Sequence, residues 1–322
     1  MISTSMMYQM QSNSIGSANE KWLTSGLKLS TMKRVVNPSD DALAASQAVR
    51  IKQSLGLGEQ YQTARNFANS NIALSENVIQ NVNGVLAEIK VTIVNAGNTT
   101  ISDEDRLTLS SQLEGLKEEL LGLANTRDGL GNFIFSGFKT DIPPFVKDDV
   151  TGVVTYQGGD TAMTQKVNPT RELAVSYLGS DIFEGLPANP VLEPDDTPSG
   201  MGGVFDTLDK AIAALKVPLD SGTQADRDAF TAAMDSANRG IQNASSNASR
   251  VQTDMGLSMR ELTNLDDLGA QENLNGQERL SDMVDLDPVK GISEYMLNLN
   301  SLQASYQTFM DMKGLSLFNL AR

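Results

Sequence analysis

Residues 72–93 read IALSENVIQNVNGVLAEIKVTI. Ile72, Ile79, Leu86 and Ile93 stand seven apart, with Val82 and Ile89 in the alternate slots, which is the apolar stripe of a long, coiled-coil-grade helix. Upstream, Asn37 precedes Pro38 and is pushed away from the α region. Ser39 then reads as an N-cap, Asp40 and Asp41 as first-turn charges that favour the helix dipole, and Ala44, Ala45, Ala48 and Ile51 as the continuation. The spacing therefore predicts one helix from about residue 39 to past residue 90. Downstream, Ser102 with Asp105 three residues on comes close to a capping box, and Leu109, Leu113, Leu116, Leu120 and Leu123 step by four and three. Two antiparallel helices joined near residues 97–100 would bury both stripes.

Working outward, the N-terminus repeats Met1, Tyr8, Ile15, Trp22 and Leu29 every seven residues with Ala18 between, one face of a helix. The C-terminal segment carries two apolar rows, Ile292, Leu299 and Tyr306 in one and Tyr295, Leu302 and Phe309 in the other, and has no charge from Tyr295 to Met310. Where a surface helix would show Lys and Glu, both ends carry Gln9, Gln11, Asn13, Asn19, Asn298, Asn300, Gln303 and Gln307. Half of the fourteen methionines lie there too, and methionine adapts to irregular contacts. Residues 1–30 and 290–322 thus read as packing arms suited to self-assembly, ordered only when assembly supplies the missing burial.

From Asp141 to Gly203 prolines cluster and helical spacing vanishes. Val153-Val154-Thr155-Tyr156 before Gly158-Gly159, and Leu173, Val175 and Tyr177 alternating with polar neighbours, are strand-like. Helical spacing returns at Phe205–Lys216 and runs, with interruptions, from about Asp226 to Asp285. The predicted fold is mainly α with a small β insert: terminal arms at 1–30 and 290–322, a helical bundle from 31–140 and 204–289, and a β-rich insert at 141–203.

Composition narrows the function. In 322 residues, 40 acidic against 25 basic side chains give a net charge of −15, a field that repels phosphates and anionic lipids, so neither nucleic acid nor a membrane surface suits as a partner. No window approaches the ~18 apolar residues of a spanning helix, and the first nineteen residues lack the pattern of a secretory signal. The chain has neither cysteine nor histidine, which removes the commonest general base, the usual nucleophile pairings and the best transition-metal ligands. Gly56-Leu57-Gly58 and Gly129-Leu130-Gly131 do not continue into a phosphate loop. The pairs Asp40-Asp41, Asp148-Asp149, Asp195-Asp196 and Asp266-Asp267 lack EF-hand spacing and read as capping or solvated groups. Trp22 sits in the heptad row and reads as core or interface, so no catalytic, metal or cofactor site is predicted.

Three ordered motifs carry a resemblance. Leu29-Ser30-Thr31-Met32-Lys33-Arg34-Val35-Val36-Asn37-Pro38-Ser39-Asp40-Asp41 resembles the loop that flagellin-related axial proteins carry after their N-terminal helix. Gly131-Asn132-Phe133-Ile134-Phe135-Ser136-Gly137 is similar to the signature of that family's hook-filament junction branch, as is the ending Leu302-Gln303-Ala304-Ser305-Tyr306 through Leu315-Ser316-Leu317-Phe318. The chain departs at Met32, where the family usually has glycine, which argues against a glycine-type turn there, and at Ala42, where proline is frequent.

The resemblance implies a non-enzymatic, cofactor-free building block that leaves the cytoplasm through the flagellar type III apparatus. It implies assembly with itself in a ring or short helical zone, and as partners the adjoining junction protein, flagellin and an export chaperone that binds near the C-terminus. In such proteins paired terminal helices form the inner tube. That carries over to Tyr8, Ile15, Trp22 and Leu29 with Ile292, Leu299, Leu302, Tyr306 and Phe309 as the assembly seam, and to Asp40, Asp41, Gly131, Phe133, Phe135 and Gly137 as family motif residues. A filament subunit and a soluble coiled-coil adaptor remain as alternatives, separable by long-filament formation and by ordered ends.

Overall fold

The computed structural model describes residues 4–98, 101–220 and 222–314. Met1, the joint at residues 99–100 and the ending at Leu315–Phe318 lie outside them. Six α-helices account for most of the described chain: α1 Thr4–Thr31, α2 Ala42–Ala96, α3 Asp103–Ala124, α4 Gly203–Leu215, α5 Gln224–Val284 and α6 Pro288–Gly314. Four short strands lie between α3 and α4: β1 Phe145–Lys147, β2 Val154–Tyr156, β3 Thr164–Asn168 and β4 Arg171–Ala174. The chain divides into two compact units, residues 1–60 with 269–322, and residues 61–268.

The second unit holds the larger core. The stripe on α2 is its spine: Ile72, Ile79 and Ile89 are fully buried, and Val82, Leu86 and Ile93 nearly so. Each such side chain contributes about 1.5–3 kcal/mol on burial. Leu113 and Leu120 of α3, Leu208 and Leu215 of α4, and Phe230, Ile241, Val251 and Met255 of α5 close around it in one cluster. Ser102 caps α3, its Oγ accepting from the Asp105 N–H at 3.1 Å while donating to the Asp105 carboxylate at 2.8 Å. In contrast to the interruptions expected from sequence, α5 runs unbroken for 61 residues. Gly240 is accommodated because it serves packing: a Cβ there would stand 2.8 Å from Thr207 Cγ2.

The strands form two separate antiparallel pairs, β1 with β2 and β3 with β4, the second irregular between Lys166 and Asn168. Two-stranded hairpins are marginal alone. These are held because Phe145, Val167 and Leu173 enter the same core as the helices. The strand reading at Val153–Tyr156 corresponds to β2. Of Leu173, Val175 and Tyr177 only Leu173 lies in a strand, because after one further bond, Val175 N–H to the Met163 carbonyl at 2.8 Å, the chain turns away into a π-helical turn at Ser180–Glu184.

In the first unit, α1 ends in a tight hydrogen-bonded turn. The Lys33 N–H donates to the Lys28 carbonyl at 3.1 Å and the Met32 N–H to the Leu29 carbonyl at 3.4 Å. This is the Schellman pattern, which places the residue after the helix in the left-handed region, and Met32 has φ +54°. The glycine-type turn that the methionine argued against is therefore kept, with a methionine in it.

Ser39 is not the cap of α2 and the two aspartates do not lie in its first turn. The Asp41 carboxylate accepts from the Ala44 N–H at 3.0 Å and caps the helix, while Asp40 accepts from the Val36 and Asn37 N–H groups, both at 3.0 Å. The loop bends sharply enough after Pro38 that the first helical residue is Ala42.

Candidate assembly interface

α1 and α6 run antiparallel. Tyr8 meets Phe309 with ring centroids 5.2 Å apart, and Trp22 meets Tyr295 at 6.2 Å, so fourteen residues forward on α1 match fourteen back on α6. Gln11 donates to the Ser305 carbonyl at 3.1 Å, and Gly26 lies against the Tyr295 ring, where a Cβ would make ordinary contact at 3.4 Å. The seam is thus built from heptad positions 8, 11, 15, 18, 22, 25 and 29 against 295, 298, 302, 305 and 309. Leu302, Ala18 and Ser25 are buried in it, and Ile15, Trp22, Leu29 and Phe309 are half-buried.

The structure brings Tyr8, Trp22, Leu302 and Phe309 together. It places Ile292, Leu299 and Tyr306 elsewhere, on a second stripe of α6: Val289, Ile292, Met296, Leu299, Tyr306 and Met310, spaced three and four apart with Gln303 completing the row. This stripe is open, Val289 being 75% exposed, Met310 63% and Tyr306 51%. α1 adds Met6, Met10 and Leu23, all more than half exposed. A soluble helix normally buries such a row; here, among the described residues, all of it but the half-buried Leu299 is exposed. The seam's polar members, Gln11, Ser25 and Asn298, have no apolar signal in the sequence. Only the position three or four residues from each aromatic could have found them.

The loop after α1 is fixed rather than loose. Arg34 donates to Asp41 at 3.1 Å and to the Met283 carbonyl at 2.6 Å, and its backbone N–H donates to the Val284 carbonyl at 2.8 Å. Backbone N–H donors from Asn37 and Val36 hold the Asp40 carboxyl below its ordinary range. The Ala44 N–H, then Arg34, do the same for Asp41.

In the second unit the signature residues are structural. Asp128 accepts from the Leu130 and Asn132 N–H groups at 2.8 and 2.9 Å, folding a loop whose Gly131 has φ +90°. Phe133 is buried under the Arg127 guanidinium, 4.3 Å from its ring centre. Phe135 is fully buried and packs edge-on to Phe183 at 6.1 Å. Gly137 has φ +60°, and a Cβ would stand 2.6 Å from the Thr161 carbonyl oxygen, so only glycine fits.

Sequence reasoning missed two asparagines of α5 that fasten the irregular segment. Asn243 bonds the Val191 backbone on both sides, and Asn247, fully buried, donates to the Asp181 and Ile182 carbonyls at 2.6 and 3.0 Å.

A family model described as the bacterial flagellin N-terminal helical region matches residues 2–140. The chain is 41% identical over 320 residues to flagellar hook-associated protein 3 of Escherichia coli (strain K12), covering 99% of both chains. It is 41% identical over 321 residues to the protein of the same name from Salmonella typhimurium, covering 100% of this chain and 99% of the relative. In fold it is similar to flagellar hook-associated protein-3 from Legionella pneumophila, with a TM-score of 0.63 at 21% identity over 72% of this chain and 98% of the other. FlgL from Xanthomonas campestris aligns with a TM-score of 0.61 at 20% identity, over 72% and 99%. With 41% identity over nearly the whole of both chains, the chain belongs to the flagellar hook-associated protein 3 family.

Proposed function

We propose that this protein is a non-enzymatic structural part of the flagellum that joins the hook, through the adjoining junction protein, to the flagellin filament. It leaves the cytoplasm through the flagellar type III apparatus and assembles as a ring or short helical zone. The full-length likeness to hook-associated relatives supports the location and disfavours both the filament subunit and the cytoplasmic adaptor.

The observation that carries the assembly reading is the open stripe on α6. Val289, Ile292, Met296, Tyr306 and Met310, with the half-buried Leu299 and the polar Gln303 between them, form a heptad-spaced face in addition to the one that α1 covers. An antiparallel pair with one apolar face left over is the ordinary building block of a helical layer, because each further pair covers the stripe of the one before. The arms are read as the inner tube, residues 31–140 and 204–289 as the next shell, and 141–203 as the outer insert. An export chaperone that sequesters α6 before assembly follows from the same open stripe.

Replacing Ile292, Met296 and Tyr306 by Gln, singly and together, in a flagellated host tests this. Exported but unincorporated protein, bare hooks by electron microscopy and unpolymerised flagellin in the medium are the expected result. Normal filaments on the triple variant would remove the stripe from assembly.

A further inference from the structure

We infer that the crossing of the loop after α1 over the α5–α6 joint is a register clasp, holding α1 against α6 in one of the alignments their heptads allow and so deciding which surface the arms offer a neighbour; this deepens the assembly reading above, and the clasp is tested without it.

The heptads alone do not choose an alignment. As observed, Tyr8 faces Phe309 and Trp22 faces Tyr295, which puts Ile15 opposite Leu302. Sliding α1 by seven residues puts Ile15 opposite Phe309, Trp22 opposite Leu302 and Leu29 opposite Tyr295, again three apolar pairs. The smaller row follows suit, Ala18 moving to Ser305 and Ser25 to Asn298. The chain has the slack for such a slip. Residues 32–41, between α1 and α2, reach up to about 33 Å when extended, against the roughly 10 Å that seven helical residues rise. A register that the seam leaves open has to be set elsewhere.

It is set where the two connections cross. Lys33 and Asp285 form an antiparallel bridge. Around it the Arg34 and Val35 N–H groups donate to the Val284 carbonyl at 2.8 and 3.4 Å, and the Leu286 N–H returns a bond to the Met32 carbonyl at 2.9 Å. The Arg34 guanidinium adds bonds to Asp41 at 3.1 Å and to the Met283 carbonyl at 2.6 Å. Val35, Ala44, Ala48 and Val284 form a small apolar core of their own at this point. The bridge continues the seam: Lys33 is eleven residues beyond Trp22, and Asp285 ten before Tyr295.

α6 is fixed to the crossing from its other side. Residues 285–287 are all that separate it from α5, Asp287 accepts from the Val289 N–H at 2.9 Å, and Leu286 lies over Gly291, where a Cβ would stand 2.5 Å from its Cδ2. α1 is therefore the helix that would slide, and the bonds of residues 32–35 are what stop it. A slipped copy would carry Met6 and Met10 about 10 Å along the α6 stripe and present its neighbours with a different surface.

Pulsed dipolar electron spin spectroscopy on the purified full-length chain reads the register, and the absence of native cysteine leaves the labelling unambiguous. Nitroxides are attached at Asn13→Cys and Lys290→Cys, both exposed. In the observed alignment Asn13 stands opposite Ala304, about 21 Å along the pair from Lys290; the slip adds about 10 Å. With the clasp intact a single distance is expected. Arg34→Pro, which removes the N–H bond to Val284 and both guanidinium bonds, should add a second population about 10 Å longer, and Arg34→Ala, which keeps the backbone bonds, a smaller one. An unchanged urea transition of residues 61–268 shows that each variant is folded. The same single distance in all three chains, or a distribution equally broad with and without the clasp, would overturn the clasp while leaving the junction role standing. Normal filaments in a host lacking this chain would instead strike at the junction role and leave the clasp untouched.

Discussion

Replacing Met32 separates backbone strain from side-chain packing in the turn that ends α1. Met32 holds φ +54° and is 46% exposed. A left-handed conformation costs an L-residue about 1–2 kcal/mol. Glycine escapes that cost but loses about 0.5–1 kcal/mol more backbone entropy on ordering than alanine. Met32→Ala and Met32→Gly lose the same side-chain contacts, so their difference leaves only these two quantities. The glycine variant should exceed the alanine variant by about 0.5–1 kcal/mol, about 2- to 5-fold in local opening. At an ordinary helix position the order is reversed. The two units need not unfold together, so a global midpoint is the wrong observable. The protection factor of the Lys33 amide, whose bond to the Lys28 carbonyl closes the turn, reports it directly by native-state hydrogen exchange. An alanine variant protected as well as, or better than, the glycine variant would refute the left-handed turn.

Asn247→Ala strands the Asp181 and Ile182 carbonyls in the core and should cost unit 61–268 about 2–4 kcal/mol in urea unfolding, with early proteolysis near Ser180–Glu184; a loss under about 0.5 kcal/mol would mean the clamp is not made. Gly137→Ala adds a Cβ 2.6 Å from the Thr161 oxygen at φ +60° and should cost about 2 kcal/mol or more, whereas Gly84→Ala, in open space on α2, should be neutral or stabilising; comparable losses at both would contradict the geometry. The carboxyls of Asp40 and Asp41 titrate lower folded than unfolded, so their contribution is present above the ordinary carboxylate pKa of 3.8 and is lost as the pH falls through the lowered folded values. Acid destabilisation of the loop below about pH 4 should therefore be smaller in Asp41→Asn than in the parent, measured by exchange of the Ala44 amide. In the purified monomer, amides of residues 5–30 should exchange far faster than those of 70–95; strong protection throughout α1 would show that the arms need no neighbour.

The long helices were legible because their signal is redundant. Six residues from Ile72 to Ile93 repeat one spacing, and no local choice contradicts it. The same redundancy hid the α1–α6 seam. α6 has two apolar rows of equal quality, and periodicity alone does not say which faces α1; Ser305 and Gly26, small residues where the helices come close, were the discriminating signals. Asn243 and Asn247 were invisible for another reason: an asparagine inside a helix reads as a neutral surface residue until a segment some fifty or more residues away supplies the carbonyls it bonds. Met32 was misread because residue identity reports preference, while the hydrogen bonds of the turn decide the conformation.

The two units differ in where their stability comes from. In residues 61–268 a continuous cluster from Ala68 to Leu262 covers four helices and both hairpins, and the buried Lys117, Asn243 and Asn247 are drawn into specific bonds. In α1 and α6 the described residues that are buried are Ala18, Ser25, Gly291 and Leu302. Ordering each residue costs about 1–2 kcal/mol of backbone freedom, which is why isolated helices of this length stay marginal in water even with every internal hydrogen bond made. Adding charge would make the arms more soluble but would block the open stripe; adding bulky apolar residues to the seam would stabilise the pair alone but remove its need for neighbours. A seam of Gln, Ser, Ala and a few aromatics beside an exposed row of Met, Leu, Ile and Tyr satisfies neither extreme. It leaves a deficit of burial that contact with other copies would offset; in the assembly proposed above, arm folding and assembly are then one equilibrium.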